Sequence, residues 1–289
     1  MRTPLVIYHY PCDDGFGAAW IINKALNGAV EFHPGIYGKP PPDVTDRDVI
    51  LVDFSYKKDV LEEMKKVAGT ILILDHHKTA EEDLADWPKL DPTTTLNEFA
   101  AMANPENRFF ALFDMTRSGA GIAWDFFNPG QPRPLFVEYL EDRDLWKKKL
   151  GYGDEFTIAL RSYPYDFATW DKLGVEPLIH MGIPLQRYFR ARVEEIKLSG
   201  YVAQLGQWKC RIANATKFVC SEVAGEMHLD DVDFGATYFE RAPGEFEYSL
   251  RSRNDFDVST VAKFFGGGGH SKSAGFVSRE GLKHTPVTE

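Results

Sequence analysis

The first half of the chain alternates short apolar runs with stretches of helical periodicity. LVIY (5–8), VILVDF (49–54) and TILIL (70–74) are runs of strand length, and the last two lead directly into acids. Between them, FGAAWIINKAL (16–26) and VLEEMKKVA (60–68) carry apolar residues at helical spacing. Apolar strands separated by helices predict a parallel sheet covered on both faces. Such sheets place ligands at the carboxyl ends of their strands, and acids and histidines fall there three times. SGAGIAWDFF (118–127) reads as a helix with Ser118 near its N-cap, and PLFVEYLEDRDLW (134–146) runs into an acidic cluster. From Lys148 to about Pro184 the periodicity weakens. IPLQRYFRARVEEIKLSG (183–200) predicts a helix ending at Gly200. Then KCRIANA (209–215), FGATYFE (234–240) and FEYSLRSR (246–253) have strand composition. VSTVAKFF (258–265) reads as a helix that stops at four glycines, and AGFVS (274–278) as a last strand. The tail after Arg279 is polar and is expected to fray.

Composition narrows the class. The chain has 289 residues, 44% of them hydrophobic, as in an ordinary globular protein of one or two domains. No run approaches the roughly 18 apolar residues of a membrane span. The start reads as a first strand and not as a secretion signal. Cys12, Cys210 and Cys220 do not make a disulfide framework, so a cytoplasmic setting is expected. The net charge of −10 argues against long duplex DNA, whose binding rests on Lys and Arg at phosphates. A small nucleotide at one focused site is compatible with it, especially alongside metal ions.

Five clusters carry candidate chemistry. Asp75-His76-His77 follows TILIL, and a carboxylate with two imidazoles suits Mn²⁺, Fe²⁺, Co²⁺ or Zn²⁺. Asp53 ends VILVDF. His9-Tyr10-Pro11-Cys12-Asp13-Asp14-Gly15 follows LVIY, and Glu141-Asp142-Arg143-Asp144 closes the fourth stretch. Each of these alone also suits a cap, a turn or a solvated face. Gly266-Gly267-Gly268-Gly269-His270 frees the backbone for close approach to a ligand, and successive N–H groups can wrap an anion.

Taken together and in this order, these motifs resemble the DHH phosphoesterases, a family that includes RecJ-type nucleases and nano-RNases. Asp75-His76-His77 matches the naming motif, His9…Asp14-Gly15 the first, Asp53 the second and residues 141–144 the fourth. Ser249-Leu250-Arg251-Ser252 with Gly266–His270 and Ala274-Gly275 is similar to the associated C-terminal substrate domain. The resemblance implies an α/β protein with a parallel-sheet catalytic domain (1–180), a linker helix (181–204) and a smaller α/β substrate domain (205–289).

It also implies one or two divalent ions, usually Mn²⁺. One would be held by Asp14, Asp53, His76 and a fourth-motif acid, with Asp142 favoured and Asp144 the alternative. The other would be held by His9 and by Asp53 as a bridge. The usual first motif is His-x-Asp-x-Asp-Gly. This chain has one extra residue and Cys12 two places before Asp14, so Cys12, Asp13 or a weakly filled second site are all open. Asp75 and His77 are the implied catalytic pair, with His77 stabilising phosphoryl oxygens beside the metals. Arg251, Gly267, Gly268, Gly269 and His270 would hold the substrate, in a cleft that opens and closes about the linker. The implied reaction is hydrolysis of phosphodiesters in short oligonucleotides or dinucleotides by metal-activated water. A phosphomonoesterase or phosphoanhydride hydrolase, or an impaired nucleotide-binding protein, are the alternatives. No membrane partner is expected, and a homodimer is allowed for.

Overall fold

The computed structural model describes residues 3–227 and 231–287 and divides into two units, Met1–Gln186 and Arg187–Glu289. The first unit runs β1 (Leu5–His9), α1 (Asp13–Ala25), β2 (Glu31–Gly35), β3 (Asp48–Val52), α2 (Lys58–Lys65), β4 (Thr70–Asp75) and α3 (Lys78–Asp83). It continues with α4 (Leu96–Met102), β5 (Phe109–Phe113), α5 (Gly119–Phe127), α6 (Leu135–Asp144), α7 (Gly153–Leu160) and α8 (Phe167–Trp170). Helix α9 (Val175–Leu198) carries the chain across the boundary into the second unit.

Five strands form one all-parallel sheet in the order β2-β1-β3-β4-β5. Strand side chains alternate between faces, and here both faces are buried. Val6, Val52, Leu72, Leu74, Phe110 and Leu112 pack with residues of α1, α5 and α6. Ile7, Leu51, Ile71, Ile73 and Ala111 pack with Leu61 and Met64 of α2 on the other face. This explains the unbroken apolar runs of β1, β3, β4 and β5, and in those strands it leaves polar residues only at the ends.

The second unit contains β6 (Tyr201–Leu205), β7 (Trp208–Asn214), α10 (Cys220–Glu226), β8 (Phe234–Ala242), β9 (Glu245–Arg251), α11 (Val258–Phe264), β10 (Gly268–His270), β11 (Ser273–Ser278) and β12 (His284–Pro286). Its sheet has the order β10-β11-β9-β8-β7-β6-β12, antiparallel except for the β7–β8 pair that α10 connects. The α/β class read from the sequence is the observed one. No helix among the described residues is long and apolar enough to cross a membrane.

Three readings change. Helix α9 starts at Val175 and carries Pro184 in its interior, so the Gly-and-Pro-bearing stretch before Ile183 is helical. Strands β2 and β5 complete the first sheet; β5 is an apolar run, FFALF, that is not among the strands expected from the sequence, whereas β2, with Glu31, His33 and Pro34, offers no such run. The tail does not fray over its described part. Residues His284–Pro286 pair with β6, and the buried His284 ring lies 2.8 Å from the hydroxyls of both Tyr201 and Tyr248.

Because Ile73 is fully buried between β4 and α2, Ile73→Ala is expected to cost about 2–5 kcal/mol of stability. Leu135→Ala, at an exposed position of α6, should change it by no more than about 0.5 kcal/mol. Urea unfolding at pH 7 checks the contrast.

Candidate metal centre

Strand β3 lies between β1 and β4, so the parallel sheet brings three strand ends to one edge. Strand β1 delivers His9, β4 delivers Asp75 with His76 and His77 behind it, and the chain leaving β3 delivers Asp53. Asp53 has φ +54, a left-handed conformation uncommon for a residue with a side chain. Its N–H donates to the Leu74 carbonyl at 3.0 Å, which ties it to the neighbouring strand. Its two oxygens then point opposite ways. Oδ1 lies 3.0 Å from Nε2 of His76, and Oδ2 lies 3.3 Å from Nδ1 of His9.

Asp14 enters from the first turn of α1. Its carboxylate accepts from the N–H groups of Gly119 (2.5 Å) and Ala120 (3.1 Å) at the start of α5. A helix N-terminus favours a negative group through its oriented N–H groups. Position 119 must be glycine for this approach, since a Cβ there would sit 2.5 Å from the Asp53 Cβ and 2.9 Å from Asp14 Oδ2. Ser118 caps α5 through Gly121 N–H, as expected from the sequence.

The acids of the fourth cluster face different ways, and the favoured Asp142 is the one turned from His76. The Asp142 carboxylate accepts from the N–H groups of Lys149 and Leu150 in the chain after α6, away from His76. Asp144 Oδ2 stands 3.5 Å from His76 Nε2. Helical residues two apart project about 200° apart, at 3.6 residues per turn, so only one of the pair can face the site. Glu141 is taken up by Ser118 N–H, Arg133 and Lys147.

The first motif is also resolved. Asp13 turns to Arg161 (2.6 Å) and Tyr165 (2.9 Å), away from the cluster. Cys12 is the N-cap residue of α1. Burial, and then the charges of Asp53, Asp144 and Asp14, push its thiol well up, toward the protonated form. Asp75 is fully buried. Its Oδ1 accepts from His76 N–H (2.8 Å) and lies 2.7 Å from His77 Nδ1. Its Oδ2 has no hydrogen-bond partner among the described residues.

Two sets of donors emerge: Asp14, Asp53 and His76, all buried, and His9, Asp53 and His77, with the histidines partly open. Within each set one donor atom per residue lies within 4.8 Å of the others, and Asp53 belongs to both. The charge state suits a cation. Burial, then Asp144 and Asp53, push the Asp14 carboxyl well up, and burial does the same for Asp144. Burial also works against the Asp53 anion, but hydrogen bonds from His76 and His9 outweigh it and hold that carboxyl below the ordinary range. Burial opposes charge on His76, and Asp53, Asp144 and Asp14 overcome it and raise the imidazole to about 10. Burial opposes charge on His77 too, and Asp75 overcomes it, raising that ring to about 9. Buried carboxyl groups crowded beside imidazoles form a donor set that fits divalent cations.

Sequence reasoning missed Tyr37, whose ring sits edge-on to His9 with centroids 5.2 Å apart. GIYGKPPP offers no signal for it beyond a loop.

The second unit holds its own group. Arg251 reaches Ser221 Oγ at 2.6 Å and the Leu250 carbonyl at 2.8 Å. Arg251, Ser273 and His270 stand opposite one another across β9, β11 and β10, so their side chains share a face. Gly267 precedes β10, and Gly268 and Gly269 lie within it. Gly269 has φ +139 and lies against Ala274 where a Cβ would not fit. Part of the glycine run is therefore strand and not an open loop.

No protein-family model matches the chain. The chain is 30% identical, over a 304-position alignment, to the uncharacterized protein R106 of Acanthamoeba polyphaga mimivirus, covering 95% of this chain and 67% of R106. Among solved structures it is similar to the DHH domain of PF0399, described as a member of a family of ribosomal proteins. That match has a TM-score of 0.50 and 12% identity over 94% of this chain and 82% of that one. It is also similar to PggH, a pGpG-specific phosphodiesterase from Vibrio cholerae, with a TM-score of 0.41 and 11% identity over 96% and 93%.

The ring charges give a pH prediction. His76 and His77 titrate near 10 and 9 in the metal-free fold but near 6.5 when unfolded. Raised values stabilise the fold fully below the unfolded pKa, and that contribution is lost as pH rises through the folded values. The urea midpoint of EDTA-treated protein should therefore fall between pH 6.5 and 10. A midpoint that rises across that window contradicts the assignment.

Proposed function

We propose that this chain, which belongs to one family with R106 and shares the fold of a DHH domain, is a metal-dependent hydrolase of phosphodiester bonds in short oligonucleotides or dinucleotides. The observation that carries the reading is the sharing of Asp53 between two donor sets at the carboxyl edge of a parallel sheet. Asp14, Asp53, His76 and Asp144 would hold one ion, and His9 and Asp53 would help to hold the other. Oxygen-rich donors make Mn²⁺ the ion of choice for the first. Bound there, such ions supply Lewis-acid stabilisation of phosphoryl oxygens and lower the pKa of water toward neutrality.

The protein's own groups set the geometry. The N-terminus of α5 fixes Asp14, and Leu74 fixes the backbone of Asp53, so neither carboxylate reorganises when charge develops. Asp75 fixes the ring of His77. In the second unit Arg251 offers a planar fork to a phosphate, with His270 on the same face. The acidic composition favours small substrates over long nucleic acid.

Exhaustive EDTA treatment should abolish hydrolysis of a linear dinucleotide, and Mn²⁺ should restore it. Activity that survives chelation and gel filtration refutes the metal dependence. Cleavage of nucleoside bisphosphates but no diester would assign a monoesterase instead. Asp53→Asn and Asp144→Asn should each lower kcat/KM by more than the roughly 100-fold typical of groups that only support a ligand. Asp142→Asn should lower it less, and the reverse order would restore Asp142 as the ligand. Arg251→Ala should raise KM about 10- to 150-fold, from a charged hydrogen bond of about 1.5–3 kcal/mol. Metal content should not change in that variant, and its loss would contradict a substrate role.

A further inference from the structure

The first motif lacks the carboxylate that would complete the ion site beside His9. Neither candidate within the motif supplies it. Asp13 is held by Arg161 and Tyr165, and Cys12 belongs to neither converging set. The residue that converges with His9 and Asp53 comes from a different strand. One donor atom each from His9, Asp53 and His77 lies within 4.8 Å of the others. The His9 and His77 rings stand 6.0 Å apart and nearly perpendicular, at 78°. We infer that His77 is a metal ligand in this protein, and that His9, His77 and Asp53 form a two-histidine, one-carboxylate site for a nitrogen-preferring divalent ion.

The surroundings of His77 support this. Its Nδ1 lies 2.7 Å from Asp75 Oδ1, the arrangement in which a buried carboxylate orients a ligating imidazole and raises its basicity. Asp75 is itself fixed by the His76 and His77 N–H groups. His77 Nδ1 also lies 4.0 Å from Asp53 Oδ1, and with Nδ1 taken up by Asp75 it is Nε2 that would be left to coordinate. The role differs from the direct contact with phosphoryl oxygens that the sequence resemblance implied.

The two sites then differ in chemistry. Asp14, Asp53 and Asp144 with one imidazole make an oxygen-rich, buried site suited to Mn²⁺. His9 and His77 with one carboxylate make a nitrogen-rich site, and imidazole ligands suit Fe²⁺, Co²⁺ or Zn²⁺ better. The side chains of His9 and His77 are about one quarter and one fifth exposed, against 2% for Asp53, so this site lies on the solvent side of the cluster. The protein is thus built to hold two different metals that share Asp53.

This inference rests on the two-ion reading above, and the experiment separates the two. Metal-stripped protein is titrated calorimetrically with Mn²⁺ and then with Zn²⁺, and bound metal is counted by elemental analysis after gel filtration. Wild type should retain one Mn²⁺ and one Zn²⁺. His77→Gln should retain the Mn²⁺ and weaken Zn²⁺ binding by more than 100-fold, and Asp75→Asn should weaken it by roughly 10- to 100-fold. Cys12→Ala should leave both ions in place. A wild type that retains no divalent ion overturns the functional reading itself. Two ions retained unchanged in His77→Gln overturn only the role of His77. Zinc-edge X-ray absorption of the wild type needs no variant to fold. Two imidazoles on zinc support the site, and one or none overturns it.

Discussion

The Asp53 carboxylate faces His76 with one oxygen and His9 with the other, and the architecture around it serves to keep it there. It leaves the central strand β3 in a left-handed conformation, which turns the side chain across the edge of the sheet. Strands β1 and β4 flank β3, so histidines at their ends arrive on opposite sides of one carboxylate. An antiparallel neighbour would present its amino end at this edge instead.

Holding that anion in a buried place has consequences for everything near it. Asp14 and Asp144 are close enough for their charges to oppose one another, and burial adds to the cost. The protein offsets part of this with the N-terminus of α5 at Asp14 and with the imidazole of His76, whose charged form is favoured, at Asp53. The imidazole is a provisional solution, because a proton on a ring nitrogen occupies the position a cation would take. Binding a divalent ion therefore exchanges protons for metal, and affinity should weaken toward acid pH.

Much of this was legible in the sequence because the parallel sheet is covered on both faces. Its inner strands must be apolar throughout, so the polar residues that end them stand out, as Asp53, Asp75 and His9 do. The acid of α6 was legible but was misread. At 3.6 residues per turn Phe136, Val137, Tyr139 and Leu140 share one buried face, and Asp144 falls on that face while Asp142 falls outside it. The phase of the apolar stripe, and not the acidity of the cluster, is the signal that picks out the acid facing His76. Strand β2 was hidden by Pro34 and partial exposure, and β12 by its dependence on β6, which lies far away in sequence. The joining of His77 to His9 is likewise a meeting across the sheet that no local spacing encodes.

The claim on which the account turns is that Asp53 lies between two cations. Anomalous scattering at the manganese and zinc edges, from crystals of the wild type grown with both ions, tests it most directly. The account predicts two peaks roughly 3.5–4 Å apart, each with the Asp53 carboxylate as a neighbour. A single peak, or two peaks of which one lacks Asp53 as a neighbour, would contradict it.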